Sequence, residues 1–244
     1  MPELPPGLTE ALRGARHTVV LTGSGVSAES GVPTFREAQT GLWARFDPQE
    51  LATLEAFERD PKLVWDWYEW RRELVAEADP NPGHAAITKM EQLFPAFTLI
   101  TQNVDGLHQR AGSREVIELH GNILRTKCSV EGMVVEDYEE RETPPPCPSC
   151  GAPLRPDVVW FGEMLPYEAL DAASEAARGA DVFLSVGTSS LVYPAAALPF
   201  EAAENGAALV EINPEETPLT PHAHYAFRGP AGEVLPRLVE GLSH

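Results

Sequence analysis

The chain lacks the features that mark several broad classes of protein. No stretch approaches the roughly eighteen uninterrupted apolar residues that a membrane-spanning helix needs, so no span is expected. The opening residues, MPELPPGLTEALRGARH, have no cationic start followed by an apolar stretch, so no secretory signal is expected and the cytoplasm is the expected location. Cysteine is scarce. Only Cys128, Cys147 and Cys150 are present, and an odd number without a secretory signal argues against a disulfide framework. Positive charge is scarce too, with 18 Lys and Arg against 37 Asp and Glu and a net charge of −19. Nucleic acid and anionic lipid draw most of their affinity from Lys and Arg, so neither is expected as a partner. The same field attracts cationic partners, lysine-rich protein tails among them, although an acidic surface also serves solubility.

What is present reads as a globular protein. At 244 residues and 43% apolar content, the chain is long enough for one substantial core, or one core with a small satellite. Short, nearly all-apolar runs at His17–Thr22, Phe97–Thr101, Val116–Leu119, Asp181–Val186 and Ala208–Ile212 each end in polar or glycine residues. Such runs suit a parallel sheet covered on both faces. Helical stretches fall between them at 84–93, 168–178, 194–205 and 231–242. This alternation predicts a Rossmann-like, doubly wound α/β sheet, with residues 1–35, 84–125 and 156–244 forming the main domain. Residues 36–83, rich in aromatics and helix formers, and residues 126–155, which carry the cysteines, are expected to form a smaller lobe. Ligands of open α/β sheets bind at the carboxyl ends of the strands, so the five loops after these strands are expected to meet at one cleft.

Gly23-Ser24-Gly25-Val26-Ser27-Ala28 fits G-x-G-x-x-G/A directly after the first predicted strand. That pattern suits a tight turn, close approach of the backbone to a diphosphate, and a helix N-terminus facing negative charge. A dehydrogenase should also show an acidic residue ending a second strand about twenty positions on. Here the chain instead runs through Phe35-Arg36 into Leu42-Trp43, which discounts a dehydrogenase.

Longer stretches resemble a known family. Thr22 to Arg36, TGSGVSAESGVPTFR, is similar to the sirtuin cofactor-loop signature, with Ser24 standing where alanine is usual. Thr101-Gln102-Asn103-Val104-Asp105-Gly106-Leu107-His108 and Glu118-Leu119-His120-Gly121-Asn122 resemble the second and third sirtuin motifs. Gly187-Thr188-Ser189 and Ile212-Asn213 resemble two later NAD-contacting loops, and Pro156 to Glu163 resembles the segment that pairs with substrate backbone. The resemblance runs in order over roughly residues 15 to 235.

The resemblance implies an NAD-dependent deacylase whose partners are acylated lysine side chains of other proteins. In that reaction the acyl oxygen attacks the nicotinamide ribose, nicotinamide leaves, and the acyl group migrates to ADP-ribose. A ribose hydroxyl must lose a proton, a task that suits His120 because imidazole titrates near working pH. Asn103 and Asp105 join it as catalytic candidates, although an Asx turn closing the strand would also place an Asp-Gly pair there. The resemblance assigns NAD contacts to Gly23, Ser24, Gly25, Ser27, Ala28 and Glu29, and to Phe35, Arg36 and Trp43. It adds Gln102, Asn103, Val104 and Asp105, then Gly187, Thr188 and Ser189, then Asn213, Pro214, Glu215 and Ala231. Substrate contacts fall on Val159, Trp160, Phe161 and Gly162. His84 and His108 are rival bases, but their places in predicted helices make packing the expected role.

Tyr68 and Arg71 are three apart on a predicted helix and so share one face. They resemble the Tyr-x-x-Arg pair of sirtuins that remove succinyl and malonyl groups, and a guanidinium with a phenol suits a carboxylate. A surface Arg beside a core Tyr is the plainer alternative. Cys147-Pro148-Ser149-Cys150 is half of a structural zinc site and Cys128 a third thiolate, with Glu131 standing where a partner cysteine is expected. Zinc held by the three cysteines with Glu131 or water, zinc held too weakly to survive purification, and no metal are the three readings. Rival functions are protein mono-ADP-ribosyl transfer, which needs no Tyr68–Arg71 pocket, and NAD sensing without turnover, which needs no His120–Asn103–Asp105 set.

Overall fold

The computed structural model describes residues 5–33, 47–139 and 141–242. Phe35, Arg36 and Trp43 lie outside the described residues. Six parallel strands form the main sheet: β1 (His17–Thr22), β2 (Ala96–Thr101), β3 (Val116–Glu118), β6 (Val182–Val186), β7 (Ala208–Ile212) and β8 (Tyr225–Phe227). Their order is β3-β2-β1-β6-β7-β8. The chain winds outward in one direction from β1 and in the other from β6, so the switch point of this doubly wound sheet lies between those two strands. The predicted sheet and its five strands are present. β8 is the addition, a three-residue run closed by His224 and Arg228.

Helices cover both faces. On one side α1 (Pro6–Gly14), α5 (Pro82–Leu93) and α9 (Ala231–Leu242) bury Leu8, Leu12, Ile87, Met90, Leu235 and Leu238 against Val20, Leu184 and Val210. On the other, α7 (Tyr167–Arg178) and α8 (Leu198–Glu204) bury Ala173, Ala177, Leu198 and Ala202 against Val19, Leu21, Phe183 and Leu209. Fully burying a leucine or isoleucine contributes about 1.5–3 kcal/mol, so both faces are needed to hold so short a set of strands. The helix predicted from residue 194 begins as a tight turn over Ala195–Ala197, and α8 follows with Pro199 in its first turn, where a missing N–H costs nothing. No helix among the described residues is long and apolar enough to cross a membrane.

A second, two-stranded antiparallel ribbon pairs β4 (Gly121–Cys128) with β5 (Leu154–Val158). Gly121 and Asn122, grouped with the main domain on sequence, pair with Val158 and Asp157 in this ribbon, and Thr126 pairs with Pro156 after an irregular step. The ribbon packs on α2 (Pro48–Leu51), α3 (Leu54–Arg59) and α4 (Pro61–Glu77) through Ile123, Val158, Trp160, Phe57, Val64 and Trp67. Helix α4 starts where Asp60 accepts a hydrogen bond from the Leu63 N–H and Pro61 fills the first turn, a cap worth about 1 kcal/mol. Its buried residues Val64, Trp67, Tyr68 and Val75 fall at helical spacing. Arg72 then ties α4 to the ribbon, donating to the Ile123 and Arg125 carbonyls and to Thr126 Oγ1.

At the switch point backbone packs on backbone. The Gly23 N–H bonds the Val186 carbonyl at 3.0 Å, the Gly25 N–H bonds the Gly187 carbonyl at 2.8 Å, and the Gly187 N–H bonds the Ile212 carbonyl at 2.9 Å. Gly187 has φ +61°, and a Cβ there would stand 2.5 Å from the Val26 nitrogen. Gly187→Ala is therefore expected to destabilise the protein by about 1–3 kcal/mol. Gly14→Ala, where an added Cβ meets nothing within 4 Å, should change stability by less than about 0.5 kcal/mol. Denaturant unfolding of both variants checks this, and equal midpoints would contradict it.

Candidate active site

The five loops after β1, β2, β3, β6 and β7 do meet. They line a cleft of about 480 Å³. Gly23, Ser24, Gly25 and Ser27 come from the first loop, Gln102 to Asp105 from the second, and His120 from the third. Gly187 to Ser189 and Asn213 complete the sheet side, and Tyr68, Arg71 and Val158 to Glu163 close it from the ribbon and α4. Ala28, Glu29, Pro214, Glu215 and Ala231 are not among the lining residues. Glu29 instead accepts a hydrogen bond from the Gly232 N–H at 2.7 Å, where its charge suits the N-terminus of α9.

The glycine loop departs from the expected strand–turn–helix pattern. It continues as two single tight turns, Ser24–Val26 and Ala28–Ser30, rather than as an α-helix. Gly31 ends the second at φ +79°, and Val32 precedes Pro33, a position that disfavours helical backbone.

The turns aim Ser27 inward, and it is the hub of a buried polar cluster. Ser27 Oγ donates to Asp105 Oδ2 at 2.7 Å and accepts from Asn103 Nδ2 at 3.0 Å. His84 Nε2 lies 3.4 Å from the same oxygen. His84 Nδ1 accepts from the Asn81 N–H, so Nε2 carries the ring proton and donates to Ser27. One hydroxyl thereby uses its donor and both acceptor positions. Asp105 also accepts from the Leu107 N–H, so the Asx turn and the inward-facing carboxylate coexist. His84 is buried, as packing predicts, but its contact with Ser27 was not foreseen. Asn81-Pro82-Gly83-His84 marks a helix start in the sequence without saying what the ring faces. His108 is buried against His84, with ring centroids 4.9 Å apart. Burial, with the neighbouring His84, pushes its pKa down to about 3, and burial lowers that of His84 against the pull of Asp105. Both rings are neutral at working pH.

His120 is oriented by one bond. Its Nδ1 lies 2.9 Å from the Gln102 carbonyl. A carbonyl only accepts, so Nδ1 carries the hydrogen and Nε2 is the basic nitrogen. Burial lowers its pKa below the ordinary imidazole range, partly offset by the Gln102 bond, so the neutral base form is favoured. The Gln102 side chain donates to Thr188 Oγ1 at 2.9 Å, linking the second and fourth loops.

Tyr68 and Arg71 lie together at the α4 side of the cleft, as their spacing predicts. Tyr68 is 3% exposed. Burial outweighs the attraction of Arg71 and pushes its pKa up to about 12, so its phenol stays a hydrogen-bond donor. Arg71 stacks over Trp67, 5.2 Å from the ring centroid.

Cys128, Cys147, Cys150 and Glu131 form a separate cluster whose ligand atoms all lie within 4.8 Å of one another. The Cys128 and Cys150 sulfurs are 3.5 Å apart, and Cys147 Sγ lies 3.9 Å from Glu131 Oε2. Tetrahedral zinc with sulfur at about 2.3 Å and oxygen at about 2.1 Å fits those separations. Ser149 holds the other Glu131 oxygen at 3.1 Å, leaving Oε2 for the metal. The cluster is on the ribbon side and none of its members lines the cleft, so zinc there would be structural.

The sequence profile of the Sir2 family matches residues 23–194. The chain belongs to the Sir2 family. A relative from Aquifex aeolicus named NAD-dependent protein deacylase is 58% identical over 226 residues, covering 92% of this chain and 94% of its own. NAD-dependent protein deacylase 2 of Pyrobaculum aerophilum is 58% identical over 234 residues, covering 96% and 94%. Among solved structures, a Sir2 homologue in complex with NAD has a TM-score of 0.92 at 48% identity, covering 99% of this chain and 94% of that one. A Sir2–p53 peptide–NAD complex has a TM-score of 0.85 at 34% identity, covering 96% and 97%. Each of these matches covers more than nine-tenths of the chain.

Elemental analysis after zinc loading is expected to find one zinc per chain. Removal by a strong chelator should lower the melting temperature, and zinc should restore it. A melting temperature indifferent to chelation, with no zinc retained, would contradict the assignment.

Proposed function

We propose that this Sir2 protein removes acyl groups from lysine side chains of other proteins, with His120 as base, and that Tyr68 and Arg71 admit succinyl and malonyl groups as well as acetyl. The chain is an NAD-dependent protein deacylase of the sirtuin type, the activity for which its relatives are named. The observation that carries the assignment of the base is the His120 Nδ1–Gln102 bond. It leaves the unprotonated Nε2 for a proton in the cleft, at a pKa that keeps it neutral.

The donor set fits NAD. Ser24, Thr188, Ser189, Gln102 and Asn213 line the cleft with backbone, hydroxyl and amide groups suited to a diphosphate and two riboses. Asp105, fixed by Ser27 and the Leu107 N–H, offers a carboxylate suited to a carboxamide. NAD would supply a ribose carbon that gives up nicotinamide and a neighbouring hydroxyl that takes the acyl group, one water being consumed as the free lysine amine is released. The remaining work falls to the chain's own side chains. His120 takes the hydroxyl proton on Nε2, and the Gln102 carbonyl stabilises the imidazolium through Nδ1–H. Asn103 lines the cleft with its amide N–H held by Ser27. The Val159–Gly162 segment, anchored by Val159 N–H to the His120 carbonyl and Phe161 N–H to the Ala52 carbonyl, presents backbone to the peptide. Arg71 offers two parallel donors to an acyl carboxylate and Tyr68 a third. The deacylase names of the relatives favour this reading over mono-ADP-ribosyl transfer.

Acetyl-, succinyl- and malonyl-lysine peptides incubated with NAD and purified protein, read by mass spectrometry, test the proposal. Wild-type protein should release nicotinamide and form acyl-ADP-ribose. His120→Tyr should lose about two to four orders of magnitude in acyl transfer, the usual contribution of a general base. Arg71→Met and Tyr68→Phe should lower succinyl removal relative to acetyl removal by about ten- to a hundredfold, as expected for charged hydrogen bonds. Absence of NAD-dependent acyl loss from every peptide would refute the activity. An unchanged succinyl-to-acetyl ratio in both pocket variants would refute the acidic-acyl reading alone.

A further inference from the structure

Trp160 sits beside the acyl pocket on a segment whose backbone serves the substrate, yet its side chain is 2% exposed. Its ring is held on several sides. The Arg155 guanidinium carbon lies 3.3 Å from the ring centroid, and the Phe57 ring centroid lies 5.2 Å away. Arg155 is pinned in turn by two bonds to Glu163, at 2.6 and 2.8 Å, and Glu163 Oε2 accepts from the Trp160 backbone N–H at 2.8 Å. So clamped, the indole points its Nε1–H at Tyr68 Oη, 2.9 Å away. An indole nitrogen only donates. Tyr68 must therefore accept in this bond, and the lone pair that takes the indole hydrogen cannot carry the phenolic hydrogen. That hydrogen is turned away from Trp160. With its pKa pushed up to about 12 by burial, the phenol keeps the hydrogen and has it to give.

We infer that Trp160 is a positioning residue for acyl selectivity: its indole N–H fixes the Tyr68 hydroxyl as a donor toward an acidic acyl group. The inference rests on the acidic-acyl reading of Tyr68 and Arg71. It adds that a residue with no contact of its own to the acyl carboxylate sets the preference. Without the indole N–H the Tyr68 hydroxyl has two roles open to it and must be ordered on binding. With it, the donor is ordered beforehand, and preorganised donors cost less on association. A packing role alone would make Trp160 an apolar wall, equally useful to every acyl chain. The two roles separate by whether the N–H or the ring shape matters.

The test compares KM and kcat for acetyl- and succinyl-lysine peptides in Trp160→Phe, Tyr68→Phe and the double variant. Trp160→Phe is expected to lower succinyl kcat/KM relative to acetyl by about three- to tenfold, one neutral hydrogen bond's worth, chiefly through KM. In the Tyr68→Phe background the same change should leave the succinyl-to-acetyl ratio where it is, because the acceptor is already gone. Site-specific replacement of Trp160 by benzothienylalanine, which keeps the ring shape without the N–H, should shift the ratio in the same direction. It also keeps the test decisive if Trp160→Phe folds poorly. An equal loss for both peptides, an effect that persists in full without the Tyr68 hydroxyl, or an unchanged ratio in the benzothienyl protein would overturn the inference. Those outcomes leave the acidic-acyl reading standing if Tyr68→Phe and Arg71→Met still shift the ratio. If those two shift nothing, both ideas fall together.

Discussion

The site depends on backbone meeting backbone at the carboxyl ends of β1 and β6. Two glycine loops can approach this closely only where neither carries a side chain toward the other. An added Cβ on Gly25 would lie 2.7 Å from the Gly187 carbonyl oxygen. Because the strands are parallel and in register, with Leu21 beside both Ile100 and Ser185, their ends also bring Gln102 and His120 to the same rim. The Gln102 carbonyl then serves two elements at once. It sits on the chain directly after β2 and receives the His120 ring from the end of β3. Orientation of the base is thus a consequence of sheet register rather than of a local motif.

Beneath that rim the protein buries several polar groups, which is costly unless each finds partners. Ser27 resolves this for three of them, giving its hydrogen to Asp105 and receiving those of Asn103 and His84. The arrangement keeps Asp105 anchored on two sides. His84 and His108 are held neutral by burial, and both ring nitrogens of His84 are engaged. On the opposite wall a second chain of contacts runs from Glu163 through Arg155 and Trp160 to Tyr68. The floor of the cleft and its α4-side wall are therefore each cross-linked by side-chain contacts, which favours tight positioning of bound groups.

Much of this was legible in the residues. Five near-continuous apolar runs, each followed by glycine, glutamine, histidine or asparagine, suffice for a parallel sheet with one active edge, and all five loops meet there. The Tyr68–Arg71 spacing gave a shared helix face because period is a local property. What escaped was non-local or too short. β8 is a three-residue run closed by His224 and Arg228, shorter than the Val116–Leu119 run that marks β3. The ribbon strands β4 and β5 alternate poorly, since Arg125 and Lys127 face Asp157 across the pair rather than solvent alone. The glycine loop reads as the start of a helix, and only Val32-Pro33 beyond it hints that the helix does not form. Contacts such as His84 to Ser27 and Trp160 to Tyr68 join residues far apart in the chain, 57 and 92 positions respectively. No pattern within either segment encodes its partner. Glu29 lies in the matched cofactor signature yet caps α9, because the fold carries that helix start beside the loop.

The central claim is that His120 removes a proton only after the bond to nicotinamide has been broken. Exchange of labelled nicotinamide into NAD, measured in His120→Ala with an acyl-lysine peptide, tests it most directly. The account predicts that exchange continues while formation of acyl-ADP-ribose falls by about two to four orders of magnitude. Loss of exchange and acyl transfer to the same extent, in folded protein that still binds NAD, would contradict it.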